Sequence, residues 1–414
     1  MEDVVVPPTY TINLSLPPRE RYIRVAIDYL SILHLLPSLF DNLVAVSKLP
    51  VKPLHILTRL LFRRLHSFEQ TEELRGISEA SNIPLYLLVT WNIVIDAVMG
   101  CTSGGAAVSM PGFQDTTMMH FRALDWPQHV FRNAIAQFEF VDRAGGDVIA
   151  RTLGYVGHVG VLTGVRKGLS VSLNLRPCHN SSLISAERAK SYWYTLMVAT
   201  GRKPGISTLL RDCMLPKPIK EPNRRRKLVK KRKHDDEKGS VPIELLPAYD
   251  LDDVINILPT MRTPSAYVIL STAAETVILE KDSVGANILR SSSFIATTNH
   301  DASLDNDPQA TEAQVTDTKT LKPQFFAAVR DAAFTKSIER KRLLIERWME
   351  WKEEQARQGG EDQTDIGLVR LLELVRFFPL VNSRTHFLCI MDPREGVFSW
   401  VEQFAEGQAK RERA

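Results

Sequence analysis

Apolar positions recur at three- and four-residue steps through residues 20–48 and 51–67, which predicts amphipathic helices there, the first broken near Pro37. Residues 71–98 predict a helix, a turn at Asn82-Ile83-Pro84 and a second, more buried helix. The first hundred residues therefore read as mostly helical. Beyond residue 101 the period changes. β-branched and aromatic residues alternate with polar ones up to residue 176, punctuated by Gly145-Gly146, Gly164 and Lys167-Gly168, which predicts an antiparallel meander. Further on, the pattern predicts helices in 185–214, 333–358 and 368–379, hairpins in 265–282 and 384–403, and a strand end in 294–301. Helices followed by strands that need helical cover make an α+β fold.

Composition adds one feature. The net charge is +4, but 217–238 alone carries a surplus of seven positive charges, so the remaining chain is slightly acidic. The Pro-bounded segment 216–246 reads as a disordered basic insertion, and the polar stretch 302–322 as a mobile loop. The four cysteines, Cys101, Cys178, Cys213 and Cys389, fit neither a zinc pattern nor a disulfide framework. No metal or cofactor is called for. The opening residues lack a basic stretch followed by an apolar one, so a cytoplasmic protein with free thiols is expected. Arg224–Lys233 is the one stretch that would direct the chain to the nucleus; the other reading is a solvated insertion or a tether to anionic lipid. No aromatic residue interleaves it, so no nucleic acid is expected as a partner.

The candidate chemistry lies where the second helix of 71–98 gives way to Gly100-Cys101-Thr102-Ser103-Gly104-Gly105. Cys101 is either a small apolar filler or a nucleophile at a sharp turn. A thiol needs a base to become the reactive thiolate. Cutting the peptide bond before Cys101 would supply one, because an α-amine titrates near 8 and would lie beside its own sulfur.

The downstream motifs bear on that choice. Cys101-Thr102-Ser103, Phe121-Arg122-Ala123-Leu124-Asp125, Gly157-His158-Val159-Gly160-Val161-Leu162-Thr163-Gly164 and Thr298-Asn299-His300-Asp301 follow in order. Together they resemble the acid ceramidase and N-acylethanolamine acid amidase family of cysteine N-terminal-nucleophile hydrolases. Residues 71–92 are similar to the family's helix pair before the cysteine, and 377–398 to its closing strands.

The resemblance implies a four-layer αββα fold, with 1–100 as a helical, subunit-like region and 101–414 as the hydrolase domain. It implies self-cleavage between Gly100 and Cys101, with the two chains staying associated. Cys101 would be the nucleophile, Asp125 would orient the new amine, Arg122 would hold charge near the carbonyl, and Asn299 would donate to the oxyanion. Accessory positions are His158, Asn174, Arg176 and Arg340, with Arg342 as the alternative to Arg340. The substrate implied is a lipid amide, a ceramide or an N-acylethanolamine, met at a membrane surface, with the helices of 20–48 and 51–67 offering apolar surface to an acyl chain. This sequence departs from the family at Leu175, where the family has a Glu, and at His158, where it has a Tyr. Leu175 leaves Arg122 with Asp125 as its expected carboxylate neighbour, which should depress the Cys101 thiol.

Other readings of the same residues exist. Arg122 and Asp125 fit an ion pair at a hairpin end, Asn299 a turn residue, and His158 a packed histidine. The whole chain would equally fit a related cysteine acyltransferase or a scaffold that has kept the fold and lost the reaction.

Overall fold

The computed structural model describes residues 4–46, 51–98, 100–109, 116–176, 185–218, 245–305, 337–357 and 366–405. The basic segment Arg224–Lys233 and most of 302–322 lie outside them, as does Cys178.

The chain opens with β1 (Thr9–Asn13), then α1 (Ile23–Asp28), α2 (Leu30–Leu33), α3 (Leu36–Val46) and α4 (Val51–Leu61). The expected break near Pro37 is at His34-Leu35, and a second falls at Tyr29. Pro37 is the second residue of α3, where its missing N–H costs nothing. Helix α5 (Phe68–Ser81) starts at Ser67, whose hydroxyl accepts the N–H of Gln70, and ends at Asn82 in the left-handed conformation (φ 57°). Then comes α6 (Leu85–Val98), apolar nearly all round and buried.

The strands follow: β2 (Gly100–Ser109), β3 (Thr117–Asp125), β4 (Ile135–Val141), β5 (Val148–Tyr155), β6 (Thr163–Arg166) and β7 (Leu169–Leu175). Helices α7 (Ser185–Ala199) and α8 (Ile206–Met214) precede the short pair β8 (Lys217–Pro218) and β9 (Leu245–Leu246). After α9 (Leu251–Ile257) come β10 (Ala266–Ser271), β11 (Thr276–Lys281), β12 (Ala286–Ser291) and β13 (Phe294–Thr297). The described chain closes with α10 (Ser337–Arg357), β14 (Ile366–Gly367), α11 (Leu368–Val375), β15 (Thr385–Asp392) and β16 (Val397–Gln403).

Among the described residues the strands form two large sheets. One runs β1-β4-β5-β6-β7-β10-β11-β12, the other β13-β2-β3-β15-β16, with β14 beside β2. The expected meander from beyond residue 101 to 176 is therefore divided. The hairpin β2–β3 belongs to one sheet and β4 to β7 to the other, with the turn of 3-10 helix at His129–Ala134 between them. Both faces of β2 and β3 are buried, so alternation could not say which sheet they join.

The sheets pack through β2 on β7 and β3 on β10. Helices α6 and α8 cover the outer face of the first sheet, and α10 and α11 that of the second. This is the expected α+β arrangement of helix, sheet, sheet, helix. Strand β1 was not anticipated. It pairs in parallel with β4 and ties the first residues into the first sheet. Helix α3 buries Leu36, Leu39, Phe40 and Val44, whereas α4 leaves Ile56, Leu57 and Leu60 about half exposed or more. No single described helix is long and apolar enough to cross a membrane.

Candidate active site

Strand pairing builds the site. Cys101 lies opposite Leu124, Ser103 opposite Arg122 and Gly105 opposite His120 on β2 and β3. Side chains directly opposite in an antiparallel pair share a face. Cys101, Ser103, His120 and Arg122 therefore point together into the space between the sheets. There Ser103 Oγ donates to Asn174 Oδ1 (2.8 Å), and His120 sits between the hydroxyls of Ser170 (3.0 Å) and Ser172 (2.8 Å). The small residues after Cys101 have a steric reason. A side chain at Gly104 would run into the Ile295 carbonyl, and one at Gly105 into Thr276.

Cys101 is fully buried. Its N–H donates to Asn299 Oδ1 (3.0 Å), and Arg122 Nη2 lies 3.2 Å from its sulfur. The rest of the Arg122 fork is held by Leu173 O (2.6 Å), Leu162 O and Thr163 Oγ1. Burial raises the thiol above its ordinary value, against the lowering pull of Arg122. The expected lowering by Arg122 is present, and while Cys101 is buried the desolvation of its thiolate outweighs it. Cys213 and Cys389 are also buried and are pushed up to about 12, as inert core thiols are.

Arg122 and Asp125 do not pair. Three apart on one strand, they point to opposite faces. Asp125 lies across the ladder from Gly100. Its Oδ1 accepts from Thr385 Oγ1 (2.7 Å), its Oδ2 from Asn382 Nδ2 (3.1 Å), and Arg340 Nη1 stands 3.5 Å away. Burial raises the carboxyl, opposed first by Arg340.

Asn299 is turned differently from expectation. Its amide N–H, expected at an oxyanion, is given to Leu175 O (2.8 Å), while its Oδ1 receives Cys101 N–H. Arg340 Nη2 also reaches that Oδ1 (3.3 Å), so Arg340 bridges Asp125 and Asn299. Arg342, the alternative, is exposed on the far side of the helix. The Leu175 side chain joins a small apolar group with Leu304 and Ile338.

The remaining candidates frame the site. Asn174 Nδ2 donates to Thr298 O (3.3 Å). Arg176 makes a two-pronged pair with Asp301 (2.7 and 2.6 Å), which anchors the Thr298–Asp301 segment. The His158 ring faces Asp96 (3.5 Å). Sequence reasoning missed Asn382 and Thr385, which have no local signature. It also missed Ser337, whose Oγ accepts Asn299 N–H (2.9 Å). Thr163 stood inside a quoted motif without a role.

A family model described as the beta subunit of N-acylethanolamine-hydrolyzing acid amidase matches residues 6–66. The N-acylethanolamine-hydrolyzing acid amidase of Caenorhabditis elegans is 31% identical over 181 residues, 41% of this chain and 48% of the relative. The chain is similar to members of the acid ceramidase and N-acylethanolamine acid amidase family. A second relative, the acid ceramidase of Homo sapiens, is 26% identical over 186 residues, 41% of this chain and 45% of the relative. These matches thus span about half the length of the curated family members. The solved structure of the Caenorhabditis elegans amidase ortholog aligns over 71% of this chain and 93% of its own, with 19% identity and a TM-score of 0.43. The structure brings Arg122 and Asn299 to Cys101, and Asp125 joins them through Arg340.

Proposed function

We propose that this protein is an amidase that hydrolyses a lipid amide, a ceramide or an N-acylethanolamine, through a thioester on Cys101. The observation that carries the reading is the double hold on Cys101: nitrogen on Asn299 Oδ1 at 3.0 Å, sulfur beside the Arg122 guanidinium at 3.2 Å. An inert core cysteine needs neither.

The uncut chain is the starting state. The Cys101 sulfur attacks the Gly100 carbonyl carbon, a C–S bond forms as the C–N bond breaks, and the thiol proton passes to the departing nitrogen. Water then cleaves the thioester, leaving a Gly100 carboxylate, a free thiol and a new α-amine. Opening the strand end exposes the sulfur and removes the burial that holds the thiol protonated. In turnover the amine accepts the thiol proton, the sulfur attacks the substrate carbonyl, and the proton leaves with the lipid amine. Water releases the acid. Arg122 favours the thiolate, and Asn299 Nδ2, exchanged from Leu175 O, would donate to the oxyanion. Arg340 and Asp125 hold the amine end of the site. The two chains stay together through β1 in the first sheet and through Glu73, which receives both prongs of Arg211 (2.6 and 2.7 Å). The exposed apolar residues of α4, Ile56, Leu57 and Leu60, offer surface to an acyl chain.

Intact-mass analysis of purified wild type and Cys101→Ala tests this. The expected wild-type result is two chains, with a new N-terminus at Cys101, and the expected variant result is one full-length chain. Cleaved wild type should also hydrolyse a fluorogenic fatty-acyl amide. A single uncut chain without turnover would favour the scaffold reading, and equal cutting of both proteins would assign the cut to an outside protease.

A further inference from the structure

The Arg122 fork rests on the loop between β5 and β6, through Leu162 O and Thr163 Oγ1. That loop makes few hydrogen bonds to itself. Gly157 has φ 83°, and its carbonyl and the Val159 N–H turn away from the sheet toward α6. Both are met by one side chain. Asn92 Nδ2 donates to Gly157 O (2.8 Å), and Asn92 Oδ1 accepts from Val159 N–H (2.9 Å). The neighbouring Trp91 Nε1 donates to Val156 O (3.1 Å), and Arg211 Nη1 to Val159 O (2.6 Å). Asn92 is buried, and its amide fixes donor and acceptor on the same loop at once. A buried amide in that position has a large penalty for misalignment, since both loop groups would be left unpaired.

We propose that Asn92 is a positioning residue for the Arg122–Cys101 pair, acting through loop 156–163. It lies before the Gly100–Cys101 bond and the loop after it, so a cut there would leave the clamp on one chain and the clamped loop on the other. On this view the first hundred residues are a working part of the site and not only its cover. The inference rests on the reading of Cys101 as a self-cleaving nucleophile.

The experiment compares full-length wild type, Asn92→Ala, Thr163→Val and the double variant. Self-cleavage rates are followed across pH, and amide hydrogen exchange is read over 156–163. Asn92→Ala should deprotect 156–163 and slow cleavage roughly ten- to a hundredfold, as small misplacements of reacting groups do. Its pH dependence should move to higher pH, because a loosened Arg122 favours the thiolate less. In turnover kcat should fall with KM unchanged. The double variant should be little slower than the slower single variant, since both act on one chain of contacts. Additive losses, or a fall in melting temperature with an unmoved pH dependence, would overturn the proposal. Where Asn92→Ala does not accumulate, Trp91→Phe removes the Val156 bond alone and carries the same measurements. Absence of cleavage in wild type would sink the reading of Cys101, and exchange would still decide the clamp: unchanged protection in Asn92→Ala refutes it.

Discussion

Arg122 Nη2 stands 3.2 Å from Cys101 Sγ, and the hydrogen-bond partners of the guanidinium are carbonyl and hydroxyl oxygens with no full charge. A carboxylate there would cancel the cation that the sulfur feels. Carbonyl anchors fix its position and leave its charge directed at the thiolate. The fork geometry needs a planar group with several donors, which an ammonium lacks.

Arg122→Lys is therefore expected to keep the charge and lose the function. Self-cleavage should slow by roughly 10²–10³, the usual cost of one lost preorganised donor. Rates are read from the loss of full-length chain on denaturing gels. A rate within a few-fold of wild type would show that charge alone suffices.

Asp125→Asn should cost stability through lost charge. Thr385 and Asn382 both donate to Asp125, and the Thr385 hydroxyl can turn to accept from an amide nitrogen, so both contacts can survive. What is lost is the carboxylate that faces the buried Arg340 at 3.5 Å. Removing one member of a buried ion pair costs roughly 3–5 kcal/mol, which thermal melting would register. Arg340→Met added to Asp125→Asn should recover part of that loss. No recovery in the double variant would mean that Asp125 acts through its hydrogen bonds and not through its charge.

Glu73 is fully buried and bonds both Arg211 and Arg21. Glu73→Gln removes the carboxylate that holds both prongs of the buried Arg211 and leaves it only the more distant Glu69, a loss of roughly 3–5 kcal/mol in denaturant unfolding. Replacing both Glu73 and Arg211 by Met should be far milder than Glu73→Gln alone. Equal losses in the two proteins would show that packing, and not charge, carries the pair.

His120 predicts an acid sensitivity. Burial, then Arg122, holds its imidazole down to about 3, against an unfolded value near 6.5. Between these values the unfolded chain takes up a proton that the folded chain refuses, so stability falls as pH falls from about 6.5 toward 3. The slope approaches about 1.4 kcal/mol per pH unit for this one group. His120→Gln keeps hydrogen bonding to Ser170 and Ser172 without the charge and should flatten the decline. Urea midpoints at several pH values measure it. His386 is also held well below its ordinary value by burial, so some slope should remain. An identical slope in His120→Gln would refute the assignment.

Some of this protein was written within short windows of sequence. Ser67 and Asn82 bound α5 because a cap hydroxyl and a left-handed terminus are local needs. The hairpins β10–β11 and β15–β16 follow from alternation and turn residues, and Cys101 stands out because Gly100 and the small residues after it occupy one short run. Motif order pointed to the family before any contact was known.

The partners of the buried groups were decided elsewhere. Thr385 reaches Asp125 across 260 residues of chain and Asn299 meets Cys101 N–H across 198, and no window holds both members of either pair. Periodicity showed β2 and β3 as strands but not their sheet, since both of their faces are buried. The family resemblance offered Arg340 or Arg342, and only the packing of α10 against β13 turned Arg340 inward. The motif comparison expected Asp125 beside Arg122, yet the two-residue period of a strand sets them on opposite faces, and carbonyls from another sheet took the guanidinium. Local chemistry fixes which element forms, because its hydrogen bonds close within a few residues. The environment of a buried charge is set by whichever distant strand is packed against it.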